Sequence, residues 1–150
     1  MSVLSAGAAS GESLILHASC VALGERGLLI IGPSGAGKSA LALQLIALGT
    51  RLVSDDRTEV VAGPQGVVAR CPSDAIRGLI EARGVGLLRA DPVEEAQLVL
   101  VADLAQDEDH RLPPRRSMTI LGSHLPLALR VRNDHFPAAL LLYLERGRQD

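Results

Sequence analysis

Apolar positions along the chain fall into short runs of two periods. Residues 13–21 (SLILHASCV) are rich in strand-forming types, and residues 24–27 (GERG) follow as a turn. Residues 27–31 (GLLII) form an unbroken apolar run, the pattern of a strand buried on both faces. Together these segments predict a hairpin. Residues 38–48 carry apolar side chains at 41, 45 and 48 and also at 42, 43 and 46. This predicts a mostly buried helix, with Gly49 placed to end it. Residues 51–54 predict a strand that stops at Asp55-Asp56, and residues 58–62 and 67–71 flank the turn signal Gly63-Pro64-Gln65-Gly66. Residues 97–102 (QLVLVA), 118–121 and 127–131 are strand candidates, and residues 138–146 a closing helix behind Pro137. The charged, Pro-containing segment 107–116 predicts a surface loop, and residues 73–90 have no assignable period.

Strands alternating with helices predict an α/β fold, and the hairpins predict a mixed rather than wholly parallel sheet. The 150 residues suffice for one domain. Residues 1–12, small and polar, are expected to be a flexible leader, and residues 13–150 the folded unit. No basic, apolar signal segment and no run approaching the ~20 residues of a membrane span is visible, so a cytoplasmic protein with no membrane association is expected.

Composition narrows the chemistry. The chain is 47% apolar and 21% charged, with a net charge of -2. Its only aromatic residues are Phe136 and Tyr143. Base stacking and a basic footprint are both missing, which argues against nucleic acid as a partner. Cys20 and Cys71 make no disulfide framework. The 15 basic residues are 14 arginines and a single lysine, Lys38.

That lysine sits in Gly32-Pro33-Ser34-Gly35-Ala36-Gly37-Lys38-Ser39, a full G-x-x-x-x-G-K-[ST] motif between a strand pattern and a helix pattern. Glycines allow successive backbone N–H groups to turn toward phosphate oxygens, and the helix N-terminus adds a positive end. Lys38 would supply a point charge to the β- and γ-phosphates, and the Ser39 hydroxyl a ligand to Mg²⁺. The bland alternative is a glycine-rich turn with an incidental lysine, which leaves unexplained why the one lysine occupies the one required position. Asp55 and Asp56 close the next strand, where a carboxylate could hold Mg²⁺ or accept a proton from an attacking hydroxyl. Alternation along a strand sends the two side chains to different sides.

The stretch Leu16-His17, the phosphate-loop motif, Arg51-Leu52-Val53-Ser54-Asp55-Asp56-Arg57 and Ile80-Glu81-Ala82-Arg83-Gly84-Val85-Gly86 together resemble the catalytic domain of HPr kinase/phosphorylase. The last segment matches that family's E-x-R-G-x-G signature. The resemblance runs from about residue 13 to 105 and implies a phosphate-loop α/β fold related to phosphoenolpyruvate carboxykinase. It implies ATP and Mg²⁺ as cofactors, an HPr-like phosphocarrier protein as partner, and a homo-oligomer, commonly a hexamer. By position, Asp56 matches the general base, His17 an active-site histidine, Glu81 a second Mg²⁺ ligand, and Arg111 a later active-site arginine. The chain departs from the family pattern at Ala18, at Ala40 and in residues 127–133, where the P-V-x-x-G-R loop is not recognisable. A small-molecule kinase and a nucleotide-binding regulatory module with little turnover stay open as alternatives. Asp56 favours an enzyme, because a module needs no base.

Overall fold

The computed structural model describes residues 2–3 and 11–150. Its elements in chain order are β1 (Ser2–Val3), β2 (Ser13–Leu16), β3 (Ser19–Leu23), β4 (Arg26–Ile31), α1 (Lys38–Ala47), β5 (Arg51–Ser54), β6 (Thr58–Gly63) and β7 (Gly66–Arg70). They continue as β8 (Leu79–Ala82), β9 (Gly86–Arg89), β10 (Glu95–Asp107), β11 (Ser117–Ile120), β12 (Ser123–Arg130) and α2 (Phe136–Arg146). The main sheet runs β1-β11-β12-β10-β4-β3-β5, and β8 and β9 form a separate hairpin.

β10 is the spine. One edge pairs in parallel with β4 from Gln97 to Asp103. Its other edge is shared in succession, antiparallel to β7 over residues 95–97 and parallel to β12 from Val101 onward. The sheet is therefore mixed, as the hairpin signals predict. β4 is buried on both faces: Leu28 and Ile30 pack toward α1 and α2, and Leu29 packs with the strands on the opposite face. This is the reason for its continuous apolar run.

Register explains a change of face along β10. Leu98 belongs to the same core cluster as β6 and β7, whereas Leu100, Ala102 and Leu104 face the helices. A shift in pairing between Leu98 and Leu100 inserts one residue and reverses the parity. On the helical face, Leu41, Ala42 and Leu45 of α1 and Phe136, Leu140 and Leu144 of α2 complete the layer.

Two sequence expectations change. The run 13–21 is not one strand: β2 pairs with β6, and β3 pairs with β4 and β5. His17 and Ala18 occupy the break between them. The unassigned stretch 73–90 contains the β8–β9 hairpin. Within residues 1–12, expected as a flexible leader, the described positions make main-chain contacts. Ser2 and Val3 pair with β11, the Gly11 N–H donates to the Ala62 carbonyl at 2.7 Å, and the Ala62 N–H donates to the Glu12 carbonyl at 2.8 Å. Residues 4–10 lie outside the described residues. The pairing is through main-chain groups across a long sequence distance, which small polar composition does not reveal. No helix is long and apolar enough to cross a membrane among the described residues.

The loop after β10 is pinned by Glu108. Its carboxylate accepts a two-pronged bond from Arg116, at 2.8 Å from Nε and 2.9 Å from Nη2. The Arg116 bond, helped by the N–H and ring of His110, lowers the Glu108 carboxyl from 4.5 to about 2. A carboxyl depressed by folding stabilises fully above its unfolded value and loses that contribution as pH falls through its folded value. Glu108→Gln should therefore lower the thermal midpoint at pH 7, and the gap to the native chain should close between pH 4.5 and 2. Thermal scans across that range test this, and a gap independent of pH would refute the pin.

Candidate active site

The loop from Gly32 to Gly37 joins the C-terminal end of β4 to the N-terminus of α1. Gly32 (φ 149) has a backbone conformation that favours glycine, and a Cβ there would crowd the Leu104 Cβ of β10 at 3.1 Å. Gly37 caps α1 in a left-handed conformation (φ 103) with no side-chain cap. The first-turn N–H groups of a helix have no internal acceptor. Among the described residues, the N–H groups of Ser34, Gly35, Gly37, Lys38, Ser39 and Ala40 have no protein acceptor. A cluster of such donors at a helix N-terminus is an anion cradle.

Lys38 is buried and its Nζ folds back on its own loop, donating to the carbonyls of Gly32 at 2.8 Å and Pro33 at 3.0 Å. The ammonium thus sits inside the loop's curve. Its three donors leave one bond to give to a ligand.

Asp55 anchors the other side. It is 8% exposed, and a buried carboxylate needs partners. Ser39 Oγ donates to its Oδ1 at 2.7 Å, Ser19 Oγ donates to the same oxygen at 2.8 Å, and the Glu81 N–H donates to Oδ2 at 3.1 Å. One carboxylate therefore joins β3, β5, α1 and the β8–β9 hairpin. Asp56 is separated from Asp55, as the sequence suggests, but not by the pleat. β5 ends at Ser54, and the Arg57 N–H donates to the Asp55 carbonyl at 2.7 Å across Asp56, whose φ is 67. This is a tight three-residue turn with a left-handed centre, a strained arrangement found at functional sites. The Asp56 N–H donates to Ser19 Oγ at 3.3 Å, and the Asp56 carbonyl accepts the Ala18 N–H at 3.1 Å.

The turn lifts the Asp56 carboxylate into the open. His17 Nε2 lies 3.2 Å from Asp56 Oδ1, with both side chains more than half exposed. His17, Lys38, Ser39, Asp56, Glu81 and Arg83 line one cleft of about 390 Å³ together with the phosphate loop. The hard oxygen donors Ser39 and Asp55 touch, and Glu81 lines the same cleft as Ser39. That set suits a small divalent cation which keeps waters and phosphate oxygens as its other ligands. Among the described residues, the one group of three His, Cys, Asp or Glu side chains with ligand atoms near enough to hold a metal is Glu108, Asp109 and His110; none of them lines this cleft, and Glu108 is already taken by Arg116.

Arg111 is not brought to the cleft. It lines a separate, largely apolar cavity of about 420 Å³ between the loop after β10, β12 and α2, with Leu112 and Tyr143. Two contributors to the site were missed by the reading of the sequence. Ser19 is a fully buried polar residue in a strand of apolar neighbours, a hint that a buried partner exists but not which. Arg130 reaches the phosphate loop from the end of β12, donating from Nη2 to the Ala36 carbonyl.

Comparison with known proteins agrees with this geometry. A family model described as HPr Serine kinase C-terminal domain matches residues 9–101. The chain is similar to the HPr kinase/phosphorylase of Streptococcus thermophilus, 42% identical over 77 residues, covering 51% of this chain and 25% of that protein. It is also similar to the HPr kinase/phosphorylase of Azoarcus sp., 36% identical over 129 residues, covering 77% of this chain and 41% of the relative. The chain thus spans about a quarter to two fifths of the length of these curated relatives. The solved structure of the Hpr(Ser) kinase/phosphatase from Coxiella burnetii superposes with a TM-score of 0.72 at 27% identity, covering 89% of each chain. With more than half of its length matched by the family model, the chain belongs to the HPr serine kinase C-terminal domain family.

Proposed function

We propose that this chain is an ATP- and Mg²⁺-dependent kinase that phosphorylates a serine of an HPr-like phosphocarrier protein. The observation that carries the proposal is the meeting of the phosphate loop, Ser39 with the buried Asp55 bonded behind it, and the exposed Asp56–His17 pair in one cleft. Relatives named HPr kinase/phosphorylase support the acceptor class. The strand–loop–helix unit supports the relationship to the phosphoenolpyruvate carboxykinase fold, and a hexameric assembly belongs to the same reading.

A serine hydroxyl is a weak acid, so its proton must be met by a base as the new P–O bond forms. Asp56 is the exposed carboxylate of the cleft that pairs with His17, and it takes that proton. His17, in contact with the same oxygen, holds the carboxylate in place. The unpartnered N–H groups of the loop and the Lys38 ammonium carry the charge that spreads over the phosphoryl oxygens. Ser39 and Asp55, with Glu81 of the same cleft, would hold Mg²⁺, which when bound neutralises phosphate charge and fixes the geometry for in-line transfer. In the reverse direction the protonated Asp56 would return its proton to the leaving serine oxygen.

Incubation with labelled ATP, Mg²⁺ and an HPr-like phosphocarrier, followed by mapping of the labelled residue, tests the proposal. A labelled serine on the carrier is the expected result. Label on a small-molecule acceptor instead would favour the other kinase reading, and ATP binding without turnover would favour a regulatory module.

Lys38→Ala should lose tight binding of ATP in the presence of Mg²⁺, because it removes the sole ammonium of the loop. Calorimetric titration measures this, and unchanged affinity with an unchanged rate would defeat the phosphate-loop assignment.

Asp56→Asn keeps shape and tolerates the left-handed backbone but takes no proton. ATP affinity should be nearly preserved while transfer falls by about 10²–10⁴-fold. Asp55→Asn should instead raise the Mg²⁺ concentration needed for half-maximal rate. Equal small effects at both positions would place the base elsewhere.

A further inference from the structure

Arg130 is the one cation bound to the phosphate loop that the mechanism above leaves without a task. Its guanidinium crosses 94 residues of sequence to reach the Ala36 carbonyl. Its backbone is fixed at the end of β12: the Arg130 carbonyl accepts the Glu108 N–H at 2.8 Å, and β12 pairs in parallel with β10. The neighbouring Arg132 is held by Asp107 at 2.9 Å. The side chain therefore starts from a rigid base, not a free loop.

We propose that Arg130 is a positioning residue which locks the Ala36–Gly37 peptide with its carbonyl turned away from the phosphates and its N–H turned toward them. The inference rests on the phosphate-binding reading of this site. In a planar trans peptide the C=O and the following N–H point in opposite directions. Arg130 lines a cavity of about 360 Å³ beside the loop, Asp56 and Ser39 line the neighbouring cleft, and Gly37 and Ala40 border both. A guanidinium on the Ala36 oxygen thus turns the Gly37 N–H away from Arg130, at a residue that borders the cleft.

Such a lock has a physical purpose. Gly37 has φ 103 and no Cβ, so the peptide before it can flip at little steric cost. A flip would aim a carbonyl oxygen at phosphate oxygens. A charge-assisted bond to that carbonyl opposes the flip. The same bond also frees a donor. In a continued helix the Ala36 carbonyl would accept the Ala40 N–H, as the Gly37 carbonyl accepts the Leu41 N–H at 2.9 Å. With the guanidinium on Ala36, the Ala40 N–H has no acceptor among the described residues and joins the anion cradle. Lys38 holds the carbonyls of Gly32 and Pro33 in the same way at the loop's other end. The two cations together occupy three carbonyl oxygens of the loop that would otherwise repel phosphate oxygens.

The test uses the full chain, with pyrophosphate and with Mg²⁺-ADP as probes, and follows binding by calorimetry and by the amide signals of the loop in ¹⁵N NMR. Arg130→Ala should weaken both probes about tenfold, the size of one charge-assisted bond, and Arg130→Lys should recover part of the loss. Pyrophosphate should still shift the Lys38 and Ser39 amides of Arg130→Ala while the Gly37 and Ala40 responses shrink. Should the alanine variant fail to fold, the lysine variant carries the same comparison, with Gly37 and Ala40 responses reduced less. Pyrophosphate affinity within twofold of the native chain would overturn the inference. So would weakened binding with Gly37 and Ala40 responding as in the native chain, since Arg130 would then touch the phosphates directly. Lys38→Ala separates the two readings. Loss of binding there but not in Arg130→Ala sinks only the role of Arg130, whereas a native chain that binds neither probe sinks the phosphate site and this inference together.

Discussion

Asp55 is a carboxylate withdrawn from water at the point where β5 ends, and it is satisfied only because three other segments bring donors to it. Leaving it short of partners would cost about 1–3 kcal/mol or more, since a buried charged acceptor carries the full desolvation penalty. Its contacts therefore act as a set of constraints. Ser19 fixes where β3 must lie against β5. Ser39 fixes the first turn of α1, and with it the exit of the phosphate loop. The Glu81 N–H brings the β8–β9 hairpin over the cleft, although that hairpin is paired with no strand of the main sheet. One side chain thereby connects the sheet, the anion cradle and the wall that faces it.

The division of labour between Asp55 and Asp56 follows from this. Asp55 is held by its burial, and Asp56 is exposed because the chain turns sharply between them. Ser19 serves both, donating to the Asp55 carboxylate and accepting the Asp56 N–H. The strain of a left-handed aspartate is thus supported by a residue with no exposure of its own. A rigid, buried carboxylate beside an open one is a suitable arrangement for holding a cation at one place and moving a proton at the next.

Much of this was legible in residue order. The G-x-x-x-x-G-K-[ST] motif between an apolar run and a helical period located the loop, and the boundaries of β5, the β6–β7 hairpin and α1 fall within a residue or so of the pattern. Other features were hidden for identifiable reasons. The segment 13–21 looks like one strand because strand-forming residues are continuous across His17 and Ala18, while the change of pairing partner is a property of β6, β4 and β5. The β8–β9 hairpin has no clean alternation because β9 is exposed along its length, so no buried face imprints a period on it. Arg111 was placed in the site by resemblance, but in the fold it lines the cavity beside α2.

By itself the sequence determined the chemistry available: which segment can wrap an anion, which lysine can reach it, and which carboxylates lie one strand away. Local stereochemistry sets these, since glycine freedom, helix ends and turn propensities act over a few residues. Tertiary structure decided which of the two aspartates is buried, that His17 stands against the exposed one, and that Ser19 and Arg130 serve the site. Those outcomes depend on contacts across 36, 37 and 94 residues. Their energies come from satisfying buried polar groups, and a buried group finds its partner only after β10, β4 and the helices have closed around it.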